Sequence, residues 1–430
     1  MSSYFLSIWL ILLIAFGSTW HVSSDDSAWV YMTPEEEKAY YTRPELCVIH
    51  NSRSSCASEN KTKTLGTFFS GCNRTLSSEF LLKYSRPILP SPRAGMNMTS
   101  KQMNHFLNQG TTKDTNNHDP LLSLMVEIVQ HKSNLLILLG DSLTNSEFHT
   151  MRGHLVKLGL QVKYMQGDSK SKHQCVCDKE VNNKTMIPSS LAKAFECDIF
   201  VLDVSSSSAA QYSNSSISSY YDKKAFYDST LFKDSNHFYI VFRRLLLYRA
   251  CKPGFSHLVS DLKTLFPVLT ATNNFVSFLN FGVWYRHLKD NSRRVYQEDL
   301  ELFQQELKLF KSQNPSSFIF FRESVTQHFD TASGTGEYED GAHSKPCIQI
   351  PSLRSSYNVI SEQVLSALSL FYVPDQSVTL SRHNFHRRPI DSSNYDCTHY
   401  CNVITLYEPS WRYISLTLSA YFKNIFVITS

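Results

Sequence analysis

Asn134–Phe148 reads NLLILLGDSLTNSEF: apolar from Leu135 to Leu139, then broken at Gly140, Asp141 and Ser142. A short apolar run bounded by turn residues is the pattern of a strand buried on both faces. The residues after it, Thr144 to Leu158, have the spacing of a helix. Ser142 therefore stands where a strand ends and a helix begins. In open α/β sheets the carboxyl ends of the strands form the ligand crevice. There a serine hydroxyl meets substrate, and free backbone N–H groups with the positive end of the helix dipole favour developing negative charge. Serine is also a good helix N-cap, so Gly-Asp-Ser alone does not decide between the two roles.

Downstream, the same alternation repeats. Strands are expected at Leu135 to Leu139, Gln161 to Tyr164, Asp198 to Val204, His237 to Phe242, Phe275 to Phe281 and Ser317 to Phe321. Helices are expected at Thr144 to Leu158, Ser292 to Lys311, Ser356 to Phe371 and Ser410 to Ile425. In Ser292 to Lys311, Val295, Leu300, Leu302, Phe303, Leu307 and Phe310 fall mainly on one face while Glu298, Glu301, Gln305 and Lys308 take the other, so this helix should cover a sheet. Short buried strands alternating with such helices predict an α/β fold, a three-layer αβα sandwich with a mostly parallel sheet.

Upstream, the chain divides into two further parts. Residues 1–23 contain the apolar run Phe5 to Phe16, of signal-peptide length, with Ala15 and Gly17 offering a cleavage site; a single N-terminal membrane anchor is the alternative. Residues 24–133 are polar and turn-rich and read as an irregular, disulfide-pinned extension, leaving 134–430 as the α/β domain. Either reading of residues 1–23 puts the remainder in the secretory pathway, in the Golgi lumen or outside the cell. Sequons at Asn60, Asn73, Asn97, Asn183 and Asn214 and an even count of 10 cysteines agree with that compartment. The cysteine spacings lack paired C-x-x-C knuckles, so disulfides are expected and a metal is not. The 42 basic and 38 acidic residues are scattered without a basic stripe, which argues against nucleic acid as a partner.

A serine needs a base to become a nucleophile, and a histidine needs a carboxylate to hold its tautomer. Near the C-terminus stands DCTHYC, Asp396 to Cys401, in which Asp396 and His399 are three residues apart and fall on one side of a turn. The flanking cysteines would pin that turn.

Together, Gly140-Asp141-Ser142 and Asp396-Cys397-Thr398-His399-Tyr400-Cys401 resemble the GDS and DCxHWC signatures of the PC-esterase or trichome birefringence-like family of GDSL/SGNH hydrolases. FLNFGVWY, Phe278 to Tyr285, resembles its FNxGxWW block, and FFRESVTQHF, Phe320 to Phe329, its FFRTxSPxHF block. Tyr400 stands at the usual tryptophan, and Val325 and Thr326 at the usual Ser-Pro. The resemblance implies an SGNH-like fold and a triad of Ser142, His399 and Asp396. It suggests an oxyanion hole from the backbone N–H groups of Ser142 and Gly282 with the Asn280 side chain, and substrate contacts from His328 or Asp141, with a hydrogen-bonded structural role that braces the loop as the equal alternative for His328. The implied activity is carbohydrate O-acetyl transfer through an acyl-serine, with a glycan as acceptor, an acetyl donor as co-substrate and no bound cofactor. O-acetyl ester hydrolysis is the close alternative, and a catalytically silent glycan-binding protein the distant one.

Overall fold

A computed structural model of the chain describes residues 29–31, 82–84, 119–157, 160, 162–166, 197–203, 237–248, 255–270, 274–288, 291–339, 341–351, 355–365, 368, 370–386, 395–401 and 404–422. The apolar N-terminal run, all five sequons, the serine-rich stretch 205–219 and six of the ten cysteines lie outside these residues. Of the proposed extension, Trp29–Tyr31 (β1) and Leu82–Tyr84 (β2) pair as an antiparallel ribbon.

The chain then forms α1 (Pro120–Gln130), β3 (Leu135–Gly140), α2 (Ser142–Lys157), β4 (Val162–Gln166), β5 (Cys197–Asp203), β6 (His237–Arg244) and α3 (Phe255–Leu265). It continues with β7 (Val276–Leu279), α4 (Ser292–Gln313), β8 (Phe318–Arg322), α5 (Ser356–Leu365), β9 (Phe371–Val373), α6 (Asp375–Thr379) and α7 (Ile404–Phe422). The seven-stranded sheet has the order β4-β5-β6-β3-β7-β8-β9. Strands β6, β3, β7, β8 and β9 run parallel, and β5 is antiparallel to both β4 and β6.

All six residues of β3 are buried, and their alternation feeds two separate cores. Leu136 and Leu138 join the core under α1, α2 and α7, with Phe148, Met151, Trp411 and Leu418. Leu135, Ile137 and Leu139 join the opposite core under α3, α4 and α5, with Phe255, Leu300, Phe303 and Tyr357. The result is the expected α/β arrangement of a mostly parallel sheet between two helical layers. Because β3 lies between β6, reached through β4 and β5, and β7, reached afterwards, the connections diverge on either side of the strand that delivers Ser142. That is the topological position where a crevice opens at the strand ends.

Three expectations require correction. The segment read as irregular up to residue 133 contains α1, whose Leu121, Leu124, Met125 and Ile128 are fully buried. Its polar residues Ser123, Glu127 and Gln130 fall on one face at helical spacing, a short period that the polar, turn-rich stretch before it masks. Asp119 caps it by accepting from Leu122 N at 2.9 Å, and Pro120 occupies the first turn. The helix expected over Ser356 to Phe371 ends at Leu365, and Phe371–Val373 is the edge strand β9. The helix expected from Ser410 begins earlier, at Ile404, and runs through Pro409, a residue that sequence reading takes as a stop. Burial of Leu406, Tyr407 and Trp411 holds its first turns in place. No helix among the described residues is long and apolar enough to cross a membrane.

Candidate active site

The site grows from the end of β3. Leu245 N–H donates to Gly140 O at 2.6 Å and Asn280 N–H to Leu139 O at 2.9 Å, so chain from both neighbouring strands closes around the turn. A Cβ on Gly140 would stand 2.6 Å from Asn280 O and 2.1 Å from Thr144 Oγ1. The first of these is backbone and cannot move aside, so glycine is required here for space. Asp141 is the N-cap of α2: its Oδ1 accepts from Leu143 N at 2.9 Å, and its carbonyl accepts from Asn145 N at 3.0 Å. Ser142 follows as the first helical residue, where a backbone N–H has no intrahelical acceptor.

The C-terminal turn meets it. His399 Nε2 lies 2.6 Å from Ser142 Oγ, across 257 residues of sequence. His399 Nδ1 lies 2.8 Å from Asp396 Oδ2 and 3.0 Å from its Oδ1. A carboxylate only accepts, so Nδ1 carries the proton and Nε2 presents its lone pair to the serine hydroxyl. Asp396 Oδ1 also accepts from Thr398 N at 3.2 Å and His399 N at 3.0 Å, which folds the Asp-x-x-His turn onto itself. The side chains of His399 and Asp396 remain 25% and 39% exposed, so solutes reach this corner.

Several contacts hold the turn from outside. Cys397 is bonded to Cys347, 50 residues away, and Cys401 is also disulfide-bonded. Gln327 Nε2 donates to Thr398 Oγ1 at 2.7 Å, and Cys401 N–H to Phe385 O at 2.9 Å. Beneath the site, Arg322 at the end of β8 bridges α2 and α6: its Nε donates to Asp375 Oδ2 at 2.6 Å and its Nη1 to Glu147. Trp411 Nε1 donates to the other Glu147 oxygen at 2.7 Å. A cavity of about 20 Å³, room for one water-sized group, is bordered by Arg322, Asn280, Thr144, Leu143 and Tyr400.

The other residues singled out in the sequence fall as follows. Asn280 is buried at the end of β7, and its Nδ2 donates to Arg322 O at 3.0 Å. That bond uses one amide hydrogen and leaves the second. Gly282 opens the 3-10 turn Val283–His287; a Cβ there would meet only Ser324 Oγ at 2.9 Å, a movable hydroxyl, so the steric demand for glycine is weaker than at Gly140.

His328 and Asp141, singled out as possible substrate contacts, are both fully buried, and the structural alternative for His328 accords with its bonded ring. His328 has each ring nitrogen engaged, Nε2 at 2.9 Å from Leu380 O and Nδ1 at 2.7 Å from His386 Nε2. Asp141 sits beneath the helix terminus, and burial raises its carboxyl to about 6, opposed by the Leu143 and Thr144 N–H groups and by the charge of Arg244. In the basic run Ser381 to Pro389 the described residues Arg382, Phe385 and His386 are buried, with the Arg382 guanidinium over the Phe385 ring. His386 is the site neighbour that sequence reading missed, since nothing in the run distinguishes an inward histidine from a solvated one.

Among the described residues no cluster of His, Cys, Asp and Glu is placed to hold a metal ion. No family model matches this chain, and comparison with characterised proteins gives no match.

Proposed function

We propose that this chain is a carbohydrate O-acetyltransferase of the secretory pathway, of the GDSL/SGNH type, working through an acyl-serine. The observation that carries the reading is the hydrogen-bonded series Ser142, His399, Asp396 at the carboxyl end of a central parallel strand. The motif resemblance supplies the fold family, the acetyl group and the sugar acceptor.

In this mechanism Ser142 Oγ attacks the carbonyl carbon of the acetyl donor while His399 Nε2 takes its proton. The tetrahedral oxyanion is met by the Ser142 and Gly282 N–H groups and the remaining Asn280 amide hydrogen. Collapse expels the donor's leaving group, which takes the proton from His399. A sugar hydroxyl then attacks the acyl-serine, giving its proton to His399, and Ser142 departs with that proton. Asp396 holds the imidazole in its Nδ1–H form and stabilises the transient cation. If water takes the place of the sugar hydroxyl, the same steps give an esterase.

The test incubates the purified chain and its Ser142→Ala variant with an activated acetyl ester and an oligosaccharide panel, following acetate and acetylated sugar by mass spectrometry. Serine-dependent acetyl-sugar is the expected outcome. Serine-dependent acetate with no acetyl-sugar would replace the transferase with an esterase. Equal signals from the two folded proteins would remove the triad.

A further inference from the structure

Three consecutive residues, Thr326, Gln327 and His328, run beside the turn that carries His399 and hold it on both sides of that residue. His328 N–H donates to Cys397 O at 3.1 Å, and the Tyr400 hydroxyl donates to Thr326 O at 2.6 Å. Between these, Gln327 Nε2 donates to Thr398 Oγ1 at 2.7 Å. The outer two contacts use backbone atoms of the segment. The middle one, on the residue immediately before His399, depends on the Gln327 side chain alone.

Which end of the amide faces Thr398 follows from its other contact. Tyr338 N–H points at the second end from 3.1 Å, and a backbone N–H can only donate. That end is therefore the carbonyl oxygen, which leaves the nitrogen to Thr398. Gln327 is 4% exposed, so both bonds are formed out of contact with solvent.

Tyr338 is a fixed reference for this strut. The loop that bears it folds back onto Gln327: Phe329 N–H donates to Gly336 O at 3.0 Å. Gly336 has a φ of 72° and passes so close that a Cβ would stand 2.5 Å from Gln327 O, an approach that only glycine permits. Next to Tyr338, Glu337 accepts from Ser355 Oγ at 2.6 Å and pairs with the buried Arg286 at 3.4 Å. Arg286 lies in the 3-10 turn that Gly282 opens, so the loop is fastened to the turn beside the proposed oxyanion donors.

The turn needs such a support, because His399 and Asp396 are part-exposed and receive little from packing. Thr398 N–H and His399 N–H both donate to Asp396 Oδ1, so a rotation at Thr398 disturbs the carboxylate and the imidazole together. We infer that Gln327 is a positioning residue for the reacting histidine: its amide, oriented by Tyr338 N–H, fixes Thr398 and thereby keeps Asp396 and His399 aligned on Ser142. The inference rests on the proposed role of His399 as base.

The test removes the bond from each side. Gln327→Met keeps the length of the side chain without its polar atoms, and Thr398→Val keeps shape while losing the acceptor. With the acetyl ester as substrate, we expect kcat to fall roughly 10-fold to 100-fold in both, the upper end being the scale of a 1 Å misplacement, with KM unchanged. Thr398→Ser, which keeps the oxygen, should recover most of that loss. The double variant Gln327→Met/Thr398→Val should be no slower than the slower single variant, because both changes remove the same bond. Parental kcat in the folded single variants, a Thr398→Ser as slow as Thr398→Val, or multiplied losses in the double variant would each overturn the inference in favour of simple packing.

A readout independent of turnover is the exchange of the His399 Nδ1 proton with water, followed by NMR of histidine-labelled protein. Exchange should be alike in the parent and Thr398→Ser and faster in Gln327→Met and Thr398→Val; equal rates in all four would overturn the inference. Absence of any Ser142-dependent turnover would remove the enzymatic reading, while these rates still decide whether Gln327 orders the turn.

Discussion

Ser142 Oγ and His399 Nε2 lie 2.6 Å apart although 257 residues separate them. Neither residue is close to the other through local structure. One ends the central strand and the other sits on a turn tied down by Cys347, Gln327 and Phe385.

The first prediction concerns Asp396. Asparagine would preserve an oxygen for the backbone N–H groups of Thr398 and His399 but remove the charge that selects the His399 tautomer. Asp396→Asn should lower kcat for acetyl-ester turnover by about 10⁴-fold, the loss such a change causes in serine triads. Its melting temperature should stay near that of the parent, and a variant with parental kcat would exclude Asp396 from the reaction.

Asp141 gives a prediction in pH. Its folded value, about 6, lies above the ordinary 3.8, so the folded state holds a proton that the unfolded chain has released. That contribution is complete below about pH 4 and is lost as pH rises to 6, a cost of roughly 3 kcal/mol. Asparagine caps a helix as well as aspartate does. Asp141→Asn should therefore remove this slope, and urea titrations from pH 4 to 7 should show the variant gaining on its parent across that interval. A constant difference would mean the carboxyl does not titrate there.

At Gly140 the added methyl of alanine has no space, since Asn280 O and Thr144 both lie inside contact distance. Overpacking commonly costs about 1–3 kcal/mol. The strain here falls on the turn carrying Ser142, so Gly140→Ala should lose turnover more steeply than stability. Gly282→Ala, facing only a movable hydroxyl, should be the milder of the two in unfolding experiments.

Beneath the site, Glu147→Ala would leave Arg322 with Asp375 alone in a buried setting. Breaking such a pair on one side should cost about 3–5 kcal/mol. Trp411→Phe, which loses one hydrogen bond to the same carboxylate, should cost about 1–2 kcal/mol. Denaturant midpoints measured on both variants test the ranking; the reverse order would mean that Arg322 finds another partner.

Residue pattern by itself determined the strand Leu135 to Leu139, the serine at its end, the amphipathic helix from Ser292 and the Asp-x-x-His turn. Each is written in local chemistry: an apolar run, a 3.6-residue period, a three-residue spacing. Less was legible at α1, whose polar stripe of Ser123, Glu127 and Gln130 is short and follows a turn-rich stretch, and at β9, where three apolar residues suit a buried helix as well as a strand. Only the tertiary structure decided that Ser142 and His399 meet, that His328 and Asp141 turn inward, and that His386 stands behind the turn. Those outcomes depend on which surfaces the packed layers cover. A histidine reads the same in sequence whether it faces water or the backbone of its neighbour; burial makes the difference.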